Sequence, residues 1–280
     1  MIYHDLTHAE YRALPGWNWS TIKVLEDQSP LAVAHYKTRP DKDTPSRIML
    51  RAIHCLTFEP QNFSRDFSTF SGKRDKRSAA FQEHQEQHPN TAVLSPTDER
   101  QAKVTADTIR MHPLVYPVLK RGMKRGMAEV SFTWNDAATG LPCKGRADWI
   151  MGDNVALYDL KTWGTVNERE VGRMATKQAT YGQMAHYVDG LSANGIDVPA
   201  YLIVAEGKLA HDVAVFEVDS GIPDGSLTAG RKLRAKLLER IAECTELNHW
   251  PGRHEEVQTL DLPAYVLEDN SDDITFGDSE

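Results

Sequence analysis

Residues 156–163, "ALYDLKTW", set an acid and a base two positions apart at the end of an apolar run. Val155 to Leu160 reads as a buried β-strand. An unpaired charge inside such a strand costs several kcal/mol. Side chains at i and i+2 share a face, so Asp159 and Lys161 point the same way. An ion pair at a sheet end would satisfy both. So would a site that needs a carboxylate beside an ammonium, and D-x-K alone does not separate the two.

Upstream, "MAEVSFTW" (127–134) and "LPCKGRADWIMG" (141–152) alternate apolar and polar residues around the turn "NDAATG". With a further turn near "GDN" (152–154), they predict a three-stranded antiparallel meander ending in 155–163. Asp148 falls on the middle strand and Asp159 on the third. A tight turn can bring two such carboxylates within a few ångströms, where they repel unless a cation neutralises them. There is no CxxC pair and no paired His, so hard oxygen donors favour Mg²⁺ or Mn²⁺. Lys161 could orient or deprotonate a water there. Glu129, on the first strand, can face the same site.

Outside the meander the pattern is helical. Helices are expected from Asn18 or Ser20 to a break at Ser29-Pro30, over 46–60 up to Pro60, and over 97–112 with Thr97 and Asp98 near the cap. Residues 64–95 read as a mobile loop followed by a polar helical stretch. After the meander come a long helix within 168–194, strands at 200–206 and near 210–218, and a helix from about 222 to 247. This order suits an α/β sandwich around a mixed sheet. His54 lies on the apolar second helix, as a core residue or a ligand. Gln183 and Tyr187, four apart, share a face of the long helix, and a buried Gln needs partners.

The 280 residues have the apolar and charged fractions of a soluble globular protein. No run is long enough to span a bilayer, and the polar N-terminus is not a secretory signal; the expectation is a cytoplasmic protein. Cys55, Cys143 and Cys244 are expected to be reduced and buried. The net charge of −8 hides an asymmetry. Residues 254–280 hold nine acids and no Lys or Arg, leaving 31 acids against 32 bases in the body. Within the body, "GKRDKR" (72–77) and "LKRGMKRG" (119–126) are clusters that could grip phosphate, through Lys73, Arg74, Lys124 and Arg125.

The motifs "WSTIKVL", "AIHCLTFEPQNFSRDF", "GRADWI", "YDLKT", "QMAHYVDG" and "WPG", in this order, resemble the PD-(D/E)xK nuclease superfamily. The similarity is greatest to the nuclease domain of the exonuclease VIII (RecE-like) group. It implies an α/β fold with a central mixed β-sheet flanked by helices. By resemblance, Asp148, Asp159 and His54 hold metal and Lys161 positions the attacking water; the Leu160 carbonyl, placed between the two charged residues, is a candidate further oxygen donor. Glu129 takes a further acidic position, and Gln183 and Tyr187 match a Q-x-x-x-Y helix motif. Ser20, in the first motif, is a candidate DNA contact. Leu50-Arg51 stands where the family often has Gly-Thr, which makes Arg51 a candidate phosphate contact. The resemblance further implies Mg²⁺ (or Mn²⁺), two ions per site, and 5′→3′ digestion from double-stranded DNA ends. It also implies a ring-like homo-oligomer and a single-strand annealing recombinase as partner, in a phage or prophage setting.

The rival readings are a structure-specific or restriction-type endonuclease of the same fold and a non-catalytic DNA-binding scaffold. A single nuclease domain is expected over 1–268, mainly helical to 125, with the catalytic sheet from 126 and an acidic mobile tail over 269–280. Within the acidic stretch, 257–267 is apolar enough to pack on the body or on a neighbouring subunit.

Overall fold

The computed structural model describes residues 1–39, 43–75, 77–125, 127–150, 156–206, 212–218 and 223–268, and the backbone alone of 121–125, 267 and 268. The "GDN" turn, Lys76, the tail beyond Glu268, and the side chains of Lys124 and Arg125 lie outside the described residues.

The chain opens with β1 (Ile2–Tyr3), α1 (His8–Ala13), α2 (Trp19–Ile22), α3 (Val24–Asp27), α4 (Pro30–Thr38) and α5 (Pro45–Phe58). A 3₁₀ turn (Pro60–Asn62) leads to α6 (Phe63–Asp66), β2 (Phe67–Thr69), α7 (Ala79–Gln87), β3 (Ala92–Leu94), α8 (Pro96–Met111) and α9 (Tyr116–Arg125). The second half runs β4 (Met127–Asn135), β5 (Pro142–Ile150), β6 (Leu157–Trp163), α10 (Glu168–Lys177) and α11 (Thr180–Ser192). It closes with β7 (Ala200–Glu206), β8 (Val213–Val218), α12 (Ser226–Glu246) and α13 (Ala264–Glu268).

β4, β5 and β6 form the expected meander. They sit in a six-stranded sheet ordered β1-β4-β5-β6-β7-β8. β6 and β7 are parallel, joined by the crossover through α10 and α11. The other pairs are antiparallel, which makes the sheet mixed. Met184, Ala185 and Val188 of α11 pack on one face with Val130, Phe132 and Leu157. Ile53 and Phe58 of α5 and Ile109 of α8 cover the other, over Tyr158, Leu160 and Ile203. A third apolar cluster docks Trp17, Trp19 and Ile22 onto Leu237, Leu238 and Ile241 of α12. Gly182 on α11 permits this docking, because a Cβ there would come 2.2 Å from the Trp19 ring.

The structure corrects several expected boundaries. Asn18 does cap α2, accepting from Thr21 N at 3.0 Å, and the helical run does stop before Ser29-Pro30, with α3 ending at Asp27, but the same pair also begins a helix. Ser29 caps α4 and Pro30 takes its first position, where a missing N–H costs nothing. Ser95-Pro96 does the same for α8, two residues before the expected cap. The long helix within 168–194 is two helices, parted where Ala179 turns left-handed at φ 51°. The supposed loop after residue 64 contains a parallel pair, β2 with β3. Of the segment 257–267, expected to pack on the body or on a neighbouring subunit, Val257 is 100% exposed, Leu260 84% and Tyr265 74%, so these three side chains do not pack on the body. The three cysteines are free thiols, with Cys143 and Cys244 buried and Cys55 half-buried.

Candidate active site

β5 follows β4 from Pro142 to Ile150, but among the described residues it meets β6 only at Trp149–Tyr158 and Ile150–Leu157. From there β6 follows β7 along its length. The sheet forks where Asp148 and Asp159 sit, each one residue past the last shared rung. At the fork Leu160 N–H donates to Asp148 Oδ2 at 2.7 Å. The carboxylate thus stands in for a strand carbonyl. It is the Leu160 N–H, not its carbonyl, that engages Asp148 here.

A second irregularity lies on β4. Glu129 and Asp148 fall at the rung skipped in the β4–β5 register, between Ala128–Trp149 and Val130–Ala147, and Glu129 has φ 51°, a left-handed conformation rare for a long side chain. Met127 packs towards α11 and Ala128 towards α5, yet Val130 packs towards α11. The alternation of faces slips by one at Glu129 and re-aims its side chain. Backbone strain of this kind costs about 1–3 kcal/mol and is held where surroundings over-determine it. Arg146 supplies part of that hold, with Nε 2.6 Å from Glu129 Oε2. Arg146 Nη2 donates to Leu6 O at 3.1 Å.

These distortions bring His54, Glu129 and Asp148 together, with one ligand atom from each within 4.8 Å of the others. His54 Nδ1 lies 3.5 Å from Asp148 Oδ2, and its buried Nε2 has no partner. Burial, and then the nearby Lys161, push His54 down to about 4, so its ring is neutral at pH 7, as ligation requires. Burial and the Asp148 charge push Glu129 up to about 7, against the pull of Arg146. Burial likewise raises Asp148. Two acids and an imidazole that resist their own charges suit a divalent cation bound by oxygen and nitrogen.

Asp159 lies beside this trio rather than in it. Its Oδ2 pairs with Lys161 Nζ at 2.6 Å, and its Oδ1 accepts from Gln183 Nε2 at 3.0 Å. Burial lifts Asp159 to about 6, with Lys161 pulling the other way. Burial works against the Lys161 charge, yet Asp159 and Asp148 together raise its pKa, so it keeps its proton. Gln183 Nε2 also donates to Tyr187 Oη at 3.1 Å, and α11 presents both residues to the fork. Burial holds the Tyr187 phenol well above its ordinary range.

The candidate DNA contacts are scattered. Arg51 Nη2 is paired with Asp43 Oδ2 at 2.8 Å. Arg74 is spent on Asp98 Oδ2 and Val93 O, both at 3.1 Å, which ties it to α8 and β3. Lys73 is exposed. Ser20, also exposed, lines a small cavity with Lys23 and Gln178. Lys23 and Arg146 were not singled out in the sequence. Lys23 Nζ donates to Gln178 O at 3.3 Å, and burial followed by the Lys161 charge lowers its pKa, so it stands near the fork. Arg146 could have been noticed, since it shares the i, i+2 spacing with Asp148 that first drew attention to Asp159 and Lys161.

Comparison with known proteins fits this geometry. A crystal structure of a "Putative exonuclease" from Eubacterium rectale superposes with a TM-score of 0.63 at 14% identity, covering 95% of this chain and 98% of that one. The structure of SSO0001 reaches a TM-score of only 0.32 at 12% identity, over 79% of this chain and 84% of the other, too low to bear on the fold. No curated protein matches the sequence. A family model does match, over residues 19–263, spanning β4 to β6, α5 and α11. The chain belongs to that family, the PDDEXK-like domain of unknown function DUF3799, and so to the PD-(D/E)xK nuclease superfamily.

Proposed function

We propose that the chain is a divalent-metal-dependent DNA exonuclease that digests linear duplex 5′→3′ and leaves a 3′ single strand for recombination. The observation that carries the metal-dependent nuclease part of this reading is the trio of His54, Glu129 and Asp148, within 4.8 Å of one another, next to the Asp159–Lys161 pair at 2.6 Å. The unpartnered His54 Nε2 and the repelling acids fit a cation chemically. Mg²⁺ is the natural choice and Mn²⁺ the usual substitute. A second ion would draw on Asp159 and the Leu160 carbonyl, although both Asp159 oxygens are engaged here.

A bound divalent cation supplies neutralisation of phosphate charge and a more acidic water. The chain's own groups do the rest. Lys161, whose charge Asp159 and Asp148 favour, would donate to the water or to a phosphate oxygen. Asp159 holds Lys161 in place, and Gln183 holds Asp159. Exonuclease character draws on the resemblance and on the likeness to the Eubacterium rectale protein, itself described as an exonuclease. A ring-like homo-oligomer and a single-strand annealing recombinase as partner draw on the sequence resemblance alone.

The test is digestion of end-labelled linear duplex beside a covalently closed circle, with Mg²⁺ or with EDTA. Loss of the linear substrate alone, and only with metal, is expected. Cutting of the circle would favour the endonuclease, and undiminished cutting in excess chelator would remove the metal site. Asp148→Asn and Glu129→Gln should each reduce turnover by orders of magnitude while DNA binding survives.

A further inference from the structure

A cavity of about 680 Å³ opens beside the trio, within the roughly 300–1,000 Å³ of small-ligand sites. Ala128 and Trp149 line it; these are the residues just before Glu129 and just after Asp148. Another wall begins with Phe58, one helical turn beyond His54, and continues through Glu59 and Gln61. His4 and Asp5 also line the cavity.

The lining argues against phosphate. Asp5 and Glu59 would repel it, and the guanidinium at the rim, Arg110, already donates to Leu56 O at 3.0 Å. Acids and an amide are instead acceptors and donors for a neutral polar group. Trp149 adds a donor: its Nε1 is buried and has no partner, a state that costs about 1–3 kcal/mol unless a ligand relieves it. The Trp149 and Phe58 rings stack on each other, 5.7 Å apart and 18° from parallel, and both are nearly buried. They offer edges rather than faces.

We propose that this cavity receives the nucleobase of the nucleotide attached to the scissile phosphate, and reads it by hydrogen bonds. The Trp149 indole N–H donates to a ring nitrogen or carbonyl of the base, and Glu59 or Gln61 accepts from an exocyclic amine. This rests on the nuclease reading above, since it is the trio that fixes where the phosphate lies.

Deoxynucleoside 5′-monophosphates and deoxyribose 5-phosphate would be titrated in Mg²⁺ and followed by ligand-observed NMR. No cleavable diester is present, so the outcome does not depend on activity. The monophosphates are expected to bind more tightly than the sugar phosphate, and Trp149→Phe to weaken them about 3–10-fold. Gln61→Ala, at an exposed position, should do the same if Trp149→Phe fails to fold. Equal binding of the two ligands, or nucleotide binding unchanged in both variants, would overturn the proposal. Failure of the nuclease reading would show separately, as no cleavage of any DNA in the end-label assay.

Discussion

At the scale of residues, the proposed catalytic role of the buried Asp159–Lys161 pair can be separated from its structural one. Asp159 is 1% exposed and Lys161 19%, so removing the ammonium leaves a stranded carboxylate, at roughly 3–5 kcal/mol. Lys161→Met should therefore lose both turnover and stability. Adding Asp159→Asn should return much of the melting temperature and none of the activity. A double variant that recovers cleavage would make the pair structural only. A second prediction concerns His186, fully buried on α11. Its Nε2–H donates to Lys144 O at 3.1 Å, and Nδ1 accepts from Arg234 Nε at 3.4 Å. Burial, then the Arg234 charge, push it down to about 3, so the native state refuses a proton that the unfolded chain takes near pH 6.5. The stability this secures is complete above about pH 6.5 and drains as pH falls towards 3, by about 2 kcal/mol at pH 5. His186→Gln should flatten the fall in urea midpoint between pH 7 and pH 5; an unchanged slope would refute it. Asp148, Asp159 and Lys161 were legible in sequence because strand spacing alone puts them on faces. The left-handed turn at Glu129 was not, since tertiary packing imposes it against the residue's own preference.

At the scale of elements, α11 is the piece on which the fork depends, because it carries Gln183 and Tyr187. It crosses α12 so closely that a Cβ on Gly230 would come 2.3 Å from the Tyr181 carbonyl. Gly230→Ala must push the helices apart, at about 1–3 kcal/mol. The shift reaches Gln183, two residues from Tyr181, so turnover should fall more than the lost stability explains. Thermal melts and single-turnover rates would check both, and wild-type values for each would show that α12 has slack there. Proline gave only half of its signal at this scale, since Ser29-Pro30 ends one helical run and also starts the next. Pro30 and Pro96 open helices because a Ser stands before each as a cap, and a breaker and a starter look alike until the preceding residue is weighed. The β2–β3 pair escaped notice because strands of three residues are too short to show a period.

At the scale of the whole molecule, the layering of helices on a mixed sheet followed from the order of patterned segments. The fate of the C-terminal segment did not, because apolar content says that a stretch will be covered without saying by what. The structure leaves Val257, Leu260 and Tyr265 in solvent, so their contribution to a single chain is small. Truncation after Arg253 should leave the melting temperature of dilute protein within about 2 °C, on the ~2–4 °C per kcal/mol of large domains. The same truncation removes nine acids and takes the formal charge from −8 to +1, so DNA binding should tighten at low salt. A large drop in melting temperature would mean that the segment is part of the fold. The forked sheet has a consequence of another kind. One plate, β1-β4-β5, carries Glu129 and Asp148; the other, β6-β7-β8, carries Asp159 and Lys161. Two described rungs hinge them, and the bond from the Leu160 amide to Asp148 spans the opening. That amide is a strain gauge the molecule carries for itself: its nitrogen and proton resonances would report, with no label at the site, how far apart the two plates hold their acids.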